Sequence, residues 1–221
     1  MSVWAILVAA GRGERLGLDH PKAFAKLGED PLLAEPLRRL DESDWVDAIV
    51  VVVPAGWEEP AILLAEELGC GKVSACVAGG EARADSVRAG LAEVPADAIV
   101  VLVHDAARPL VSDAVIERVL APLSEGWDGV VPGLPISDTL KRVGDDGAVL
   151  DTVARDGLYA VQTPQAFPVD VLRRALESHG GATDCAGSVE AAGGRVTVVQ
   201  GDPQLLKVTT TDDLAKIESW L

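Results

Sequence analysis

Four short aliphatic runs, Val3–Val8, Ala48–Val53, Val73–Val77 and Ala98–Val103, punctuate the first half of the chain. Between them lie stretches with helical spacing, about Leu32–Leu40, Glu58–Leu68 and Ser86–Glu93, and the fourth run is followed by another, about Asp113–Leu123. The runs are apolar almost throughout rather than at every second residue, so each strand is buried on both faces. Strand and amphipathic helix in alternation predict an α/β fold, with helices on both sides of a mainly parallel, twisted sheet.

The rhythm changes near residue 130. Thr139–Val143 and Ala148–Val153 flank the turn signal Asp145-Asp146-Gly147 and read as a hairpin. An isolated two-stranded hairpin is marginal in water, so a β-arm spanning about 137–158 needs a surface to pack on, and a partner subunit would supply one. Helix-like Val169–Ser178, a polar start at Thr183-Asp184, strand-like Arg195–Gln200 and a helix from about Thr211 complete a single domain over residues 1–221 with a projecting arm.

Composition narrows the partners. Lys plus Arg is 19 and Asp plus Glu is 35, a net charge of −16 that repels nucleic acid and anionic membrane surfaces. Any polyphosphate ligand must therefore meet cations gathered locally. Aromatic residues are only 4%, so aliphatic side chains make the core. The three cysteines, Cys70, Cys76 and Cys185, form no CxxC pair and signal neither a disulfide framework nor a zinc site. With no run of 18 apolar residues and no basic segment ahead of Val3–Val8, a cytoplasmic protein is expected.

Ligands of a doubly wound sheet sit at the carboxyl ends of its strands. AAGRGERLGLDHPK follows the first run, with Gly11, Gly13 and Gly17 and the cations Arg12, Arg15 and Lys22. Leu16 stands where the dinucleotide fingerprint needs glycine, and Pro21-Lys22-Ala23 does not fit a P-loop. A glycine-rich surface turn therefore stays open on this segment alone. Two further segments follow strands: GGEARADSV brings Arg83 and Ser86 to a helix start, and VHDAARPL places Asp105 at a strand end, where one carboxylate plus substrate phosphates would hold Mg²⁺. A cap or turn role for Asp105 and an ion pair for Arg108 are the competing structural readings.

Taken in order, AAGRGERLG…PK, GGEARADSV, VHDAARPL, DTLK, QTPQAF and LKVTTTDDL resemble the 2-C-methyl-D-erythritol 4-phosphate cytidylyltransferases, nucleotidyltransferases of Rossmann-like fold, from about Val3 to Leu221. The resemblance implies Mg²⁺-dependent transfer of CMP from CTP to methylerythritol 4-phosphate, a step of non-mevalonate isoprenoid precursor synthesis. It assigns the triphosphate and its transition state to Arg15 and Lys22, the phosphate cradle to Gly11 and Gly13, and the cytidine to Ala9, Ala10, Gly79, Gly80, Ser86 and Ala106. It assigns Mg²⁺ to Asp105 and the acceptor to Asp105, Arg108, Thr139, Arg155, Thr163, Thr183 and Lys207, with Arg155 and Lys207 aiming its phosphate. Arg155 and Thr139 would reach a neighbour's site, which implies a homodimer.

The chain departs from the family pattern at Leu205, where many members have Asn, and at Cys185 and Gly187. Asp202 is the residue left to supply a second acidic ligand. A cytidylyltransferase for another polyol phosphate such as ribitol 5-phosphate, an NAD(P)-binding oxidoreductase and a non-catalytic nucleotide-binding protein are the alternative readings.

Overall fold

A computed structural model describes residues 2–11, 13, 17, 19–178 and 182–221. In chain order the elements are β1 (Val3–Val8), β2 (Lys26–Leu27), β3 (Asp30–Pro31), α1 (Ala34–Glu42), β4 (Ala48–Val53), α2 (Glu58–Leu68), β5 (Val73–Ala78), α3 (Arg83–Ala92), β6 (Val100–Asp105) and α4 (Asp113–Leu120). The second half supplies β7 (Gly129–Pro135), β8 (Leu140–Val143), β9 (Val149–Val153), β10 (Tyr159–Val161), β11 (Gln165–Pro168), α5 (Val169–Ser178), α6 (Cys185–Ala191), β12 (Val196–Gln200) and α7 (Thr211–Glu218).

β1 lies inside an eight-stranded sheet, paired in parallel with β4 on one side and β6 on the other, and β5 continues in parallel beyond β4. Beyond β6 the sheet turns mixed. β11 pairs antiparallel with both β6 and β7, β10 pairs antiparallel with β7, and β12 closes that edge in parallel with β7. The parallel part follows the expected alternation; the antiparallel strands come from the stretch past residue 130. β8 and β9 form the expected hairpin as a separate two-stranded sheet.

Alternate residues of the central strands feed two cores, one on each face. Leu7, Val51 and Leu102 pack with Leu37, Ala61, Ile116 and Val119 from α1, α2 and α4. Ile6, Val50, Val101 and Val103 pack with Val87, Leu91, Leu172 and Val189 from α3, α5 and α6. Fully burying each such side chain stabilises the fold by roughly 1.5–3 kcal/mol. All six residues of β4 are buried, as its unbroken Ala-Ile-Val-Val-Val-Val run requires. α3 can lie close to the sheet because Gly90 has no side chain: a Cβ there would be 2.6 Å from Ile6 Cγ2. A third, smaller cluster of Leu27, Leu32, Leu110, Val208 and Ile217 fastens α7 beneath the β2–β3 turn.

Two boundaries bear on function. The expected strand Ala98–Val103 instead runs from Val100 to Asp105, because His104 and Asp105 pair with Leu7 and Val8 and are buried in the sheet. The expected helix at Ser86 begins at Arg83, which places Arg83 and Ser86 one turn apart on the helix that faces the strand ends.

Candidate active site

The carboxyl ends of β1, β5 and β6 open into a cleft of about 860 Å³. Its lining includes Ala9, Ala10, Gly11, Gly13, Lys22, Gly80, Ser86, Asp105, Ala106 and Lys207. Ten of the residues assigned to the site by sequence thus share one cavity. Arg15 and Arg12 lie outside the described residues.

Small residues make one wall for a steric reason. A Cβ on Gly79 would fall 2.5 Å from Ala10 Cβ and 2.7 Å from Ser86 Oγ, so Gly79 backs the cleft by close packing although it does not itself line it. Gly13 has φ +68°, and a Cβ on it would fall 2.5 Å from Lys22 Cβ. The absent side chain therefore lets the Gly13 backbone lie against the lysine. Lys22 starts the 3₁₀ turn Lys22–Phe24, and its Nζ donates to the Val208 carbonyl from the far end of the chain.

Asp105 is the electrostatic centre. Arg83 Nη2 lies 2.9 Å from its Oδ1, and Lys207 Nζ lies 2.7 Å from its Oδ2. Burial alone would raise the carboxyl's pKa, but Arg83 and Lys207 more than offset it and hold the group well below the usual carboxylate range. Burial likewise opposes the charge on Arg83, yet Asp105 and Cys185 raise its pKa, and Arg83 Nη1 also reaches Cys185 Sγ at 3.4 Å. The site keeps one ionised carboxylate between two cations.

Behind Asp105 runs an internal hydrogen-bond chain. The Asp105 N–H donates to Thr163 Oγ1 at 3.0 Å, Thr163 Oγ1 meets His104 Nδ1 at 3.1 Å, and His104 Nε2 meets the Arg108 carbonyl at 3.0 Å. A carbonyl only accepts, so Nε2 carries the ring proton and Nδ1 accepts from the threonine hydroxyl. Burial pushes the His104 pKa down to about 4, so the ring is neutral. Both nitrogens are engaged, and the residue is a strand-end packing group rather than a base.

The remaining acceptor-side residues separate. Thr163 is buried and spends its hydroxyl on that chain. Arg108 donates to the Leu205 carbonyl at 2.6 Å, which ties Leu205, the departure from the family pattern, to the site's frame. Thr139 and Arg155 are exposed beside the β8–β9 hairpin, Arg155 bonded to the Ser137 carbonyl, and neither lines this chain's cleft. Thr183 is exposed just ahead of Asp184, whose side chain caps α6 by accepting from Gly187 N at 2.9 Å. Asp202 turns its Oδ1 to Gln204 N at 2.8 Å and is not part of the cleft lining.

Sequence reasoning missed the work of QTPQ beyond its threonine. Gln162 clasps the backbone of Asp202, accepting from its N–H at 3.0 Å and donating to its carbonyl at 2.9 Å. Gln165 donates to Asp184 Oδ2 at 2.7 Å. Three side chains of one short segment thus hold three different walls. The signal was two amide side chains in a stretch whose neighbours are buried. Thr209 also lines the cleft without having been assigned a role, and Arg83, expected with Ser86 at a helix start, lines it bonded to Asp105.

A glycine-walled cleft at parallel strand ends, with lysines from opposite ends of the chain turned toward it, belongs to the α/β nucleotidyltransferases. Residues 3–221 match the family model described as 2-C-methyl-D-erythritol 4-phosphate cytidylyltransferase. The chain belongs to that family. A protein of that name from Nocardia farcinica is 47% identical over 220 residues, covering 100% of this chain and 94% of its own. Another from Saccharopolyspora erythraea is 47% identical over 225 residues, with 100% of both chains covered. The crystal structure of 2-C-methyl-D-erythritol 4-phosphate cytidylyltransferase from Thermus thermophilus is 31% identical and superimposes with a TM-score of 0.81, covering 100% of this chain and 98% of that one. Among the described residues no helix is long and apolar enough to cross a membrane.

Proposed function

We propose that the cleft binds CTP and that the chain transfers its CMP unit to 2-C-methyl-D-erythritol 4-phosphate, the cytidylyl-transfer step of the non-mevalonate route. A phosphate oxygen of the acceptor forms the new bond to the α-phosphorus, the α–β bridging bond breaks, and pyrophosphate leaves. The nucleophile is already an anion, so the protein needs cations and alignment rather than a strong base. The observation that carries this reading is the meeting of Lys22 with the Val208 carbonyl, 186 positions away, which brings a nucleotide-loop lysine beside Lys207 at the cleft.

Ala10, Gly80 and Ser86 give the base a narrow wall with backbone donors, and Gly11 and Gly13 cradle the phosphates. Lys22, with Arg15, neutralises the charge that develops at the α-phosphorus. Lys207 grips the acceptor phosphate. Arg108 and Thr163 serve the acceptor side by shaping its frame. The donor set suits Mg²⁺: Asp105 stays ionised, and among the described residues no group of three His, Cys, Asp or Glu side chains could cage a metal. Such a site takes one carboxylate plus substrate phosphates. Bound there, Mg²⁺ would draw charge from the triphosphate. Asp202 is not required.

The arm points to a homodimer. Val149 is 60% exposed and Leu150 64%, and Tyr159 and Val161 of β10 are also exposed, an apolar cost that a partner would remove. Thr139 and Arg155 would then reach the partner's cleft, with Thr183 at the rim of the chain's own. The rest is one domain of a cytoplasmic enzyme with no nucleic-acid or membrane partner. Ribitol 5-phosphate is the disfavoured alternative acceptor, and family membership sets aside the oxidoreductase reading. The test is pyrophosphate release from CTP and Mg²⁺ with each acceptor: release with methylerythritol 4-phosphate at least tenfold faster than with ribitol 5-phosphate supports the reading, and the reverse order overturns it.

A further inference from the structure

We infer that Asp213, outside the cleft, is a positioning residue that fixes Lys207 and Lys22 for transfer through Val208, the residue that links them; this rests on the function proposed above. The segment 201–210 that carries Lys207 has no helix or strand to hold it. From Lys207 onward its order comes from bonds to residues outside it. Val208 sits at the middle: its N–H donates to the Ala107 carbonyl at 2.8 Å, its own carbonyl accepts Lys22 Nζ, and its side chain is buried beside Ile217. One residue therefore ties the nucleotide-loop lysine to the loop after Asp105, with Lys207 immediately before it.

Asp213 anchors the far side of that residue. As the third residue of α7 it completes a capping box, its Oδ2 accepting from Thr210 N at 2.9 Å while its own N–H donates to Thr210 Oγ1 at 3.3 Å. A helix cap needs no more. Yet the same oxygen also accepts from Thr209 N at 2.8 Å and from Thr209 Oγ1 at 2.7 Å. These two bonds do nothing for the helix; they grip the cleft-lining residue that follows Val208. Three donors on one oxygen call for a full negative charge, and with the Thr209 hydroxyl as the leading cause they hold the Asp213 carboxyl down at about 2.

The excess bonds separate positioning from capping. Thr210→Ala breaks only the bond donated by the Asp213 N–H, whereas Asp213→Ala keeps that bond and releases the Thr210 N–H together with both Thr209 donors. Both should lower the melting temperature by a few degrees, since a cap is worth about 1 kcal/mol. Only Asp213→Ala should reduce kcat with methylerythritol 4-phosphate, by about 10–100-fold, as displacement of aligned groups by an ångström does. Asp213→Asn, which keeps the oxygen without its charge, should fall between. Hydrogen exchange of the folded protein supplies a readout independent of turnover: the Val208 and Thr209 amides should exchange faster in Asp213→Ala and not in Thr210→Ala. Equal kcat for both variants, or equal exchange at Val208, makes Asp213 a helix cap only and overturns the inference. If the unaltered enzyme releases no pyrophosphate, the proposed function fails, while the exchange comparison still decides the clamp.

Discussion

Lys207 Nζ and Asp105 Oδ2 are 2.7 Å apart, so the lysine assigned to the acceptor lies on the carboxylate assigned to the metal. A divalent cation and an ammonium group compete for that oxygen. Lys207→Met should tighten Mn²⁺ binding in the presence of CTP by a few-fold, the scale of one partly exposed ion pair. The same change should lower kcat by about 10²–10³, the value of one charge-stabilising donor. Paramagnetic resonance titration reads the first effect and pyrophosphate release the second; weaker Mn²⁺ binding would argue against competition.

Gly13 touches Lys22 through an absent side chain. Gly13→Ala requires both a left-handed alanine and displacement of the lysine stem, whose Cβ would be 2.5 Å from the new methyl. The variant should lose about 1–2 kcal/mol of stability. It should also raise KM for CTP more than KM for the acceptor, as initial rates at varied CTP would reveal. An unchanged KM for CTP would detach Gly13 from nucleotide binding.

His104 makes stability depend on pH. Its folded pKa of about 4 lies below the unfolded value of 6.5, so the unfolded chain binds the extra proton between these limits. The stability is present in full above about 6.5 and is lost as pH falls toward 4, by about 3 kcal/mol. His104→Gln should flatten urea-unfolding stability across that window. Asp213, with its pKa depressed from 3.8 to about 2, loses its contribution only below that range. An equally steep loss in the glutamine variant would place the proton uptake elsewhere.

The exposed arm residues predict complementation. If Arg155 serves the partner's cleft, mixing Arg155→Ala with Lys22→Ala under conditions of subunit exchange creates heterodimers with one intact site. About a quarter of the unaltered activity should return, from random pairing of a symmetric dimer. No recovery despite demonstrated exchange would return Arg155 to its own subunit. Leu150→Asp should shift the sedimentation profile toward monomer and reduce activity with it.

Legibility followed local pattern. Val3–Val8, Ala48–Val53, Glu58–Leu68 and Val169–Ser178 coincide with the elements read from periodicity, because the two strands are apolar along their length and the two helices each carry one apolar face. β7 escaped notice because Pro132, Gly133 and Pro135 interrupt it, although Gly133 is small for a packing reason, with Val198 Cγ1 2.9 Å from where its Cβ would be. β6 was cut short because His104 and Asp105 are polar. The glycine loop, Asp105 and Lys207 were legible as motifs, and the resemblance supplied their roles. The contacts that organise them were not, since Arg83 meets Asp105, and Asp105 meets Lys207, only through the folded sheet.

The edge position of β12 bears on the order of synthesis. Every strand of the parallel centre, β1, β4, β5 and β6, is made before β7, whereas the Lys207 segment follows the last strand. At about 5–20 residues per second, the acceptor wall emerges seconds after the glycine wall and Asp105. The glycine wall and Asp105 are therefore made while the Val208 carbonyl that holds Lys22 and the ammonium of Lys207 are still missing, so the cleft is completed only by the segment that follows β12.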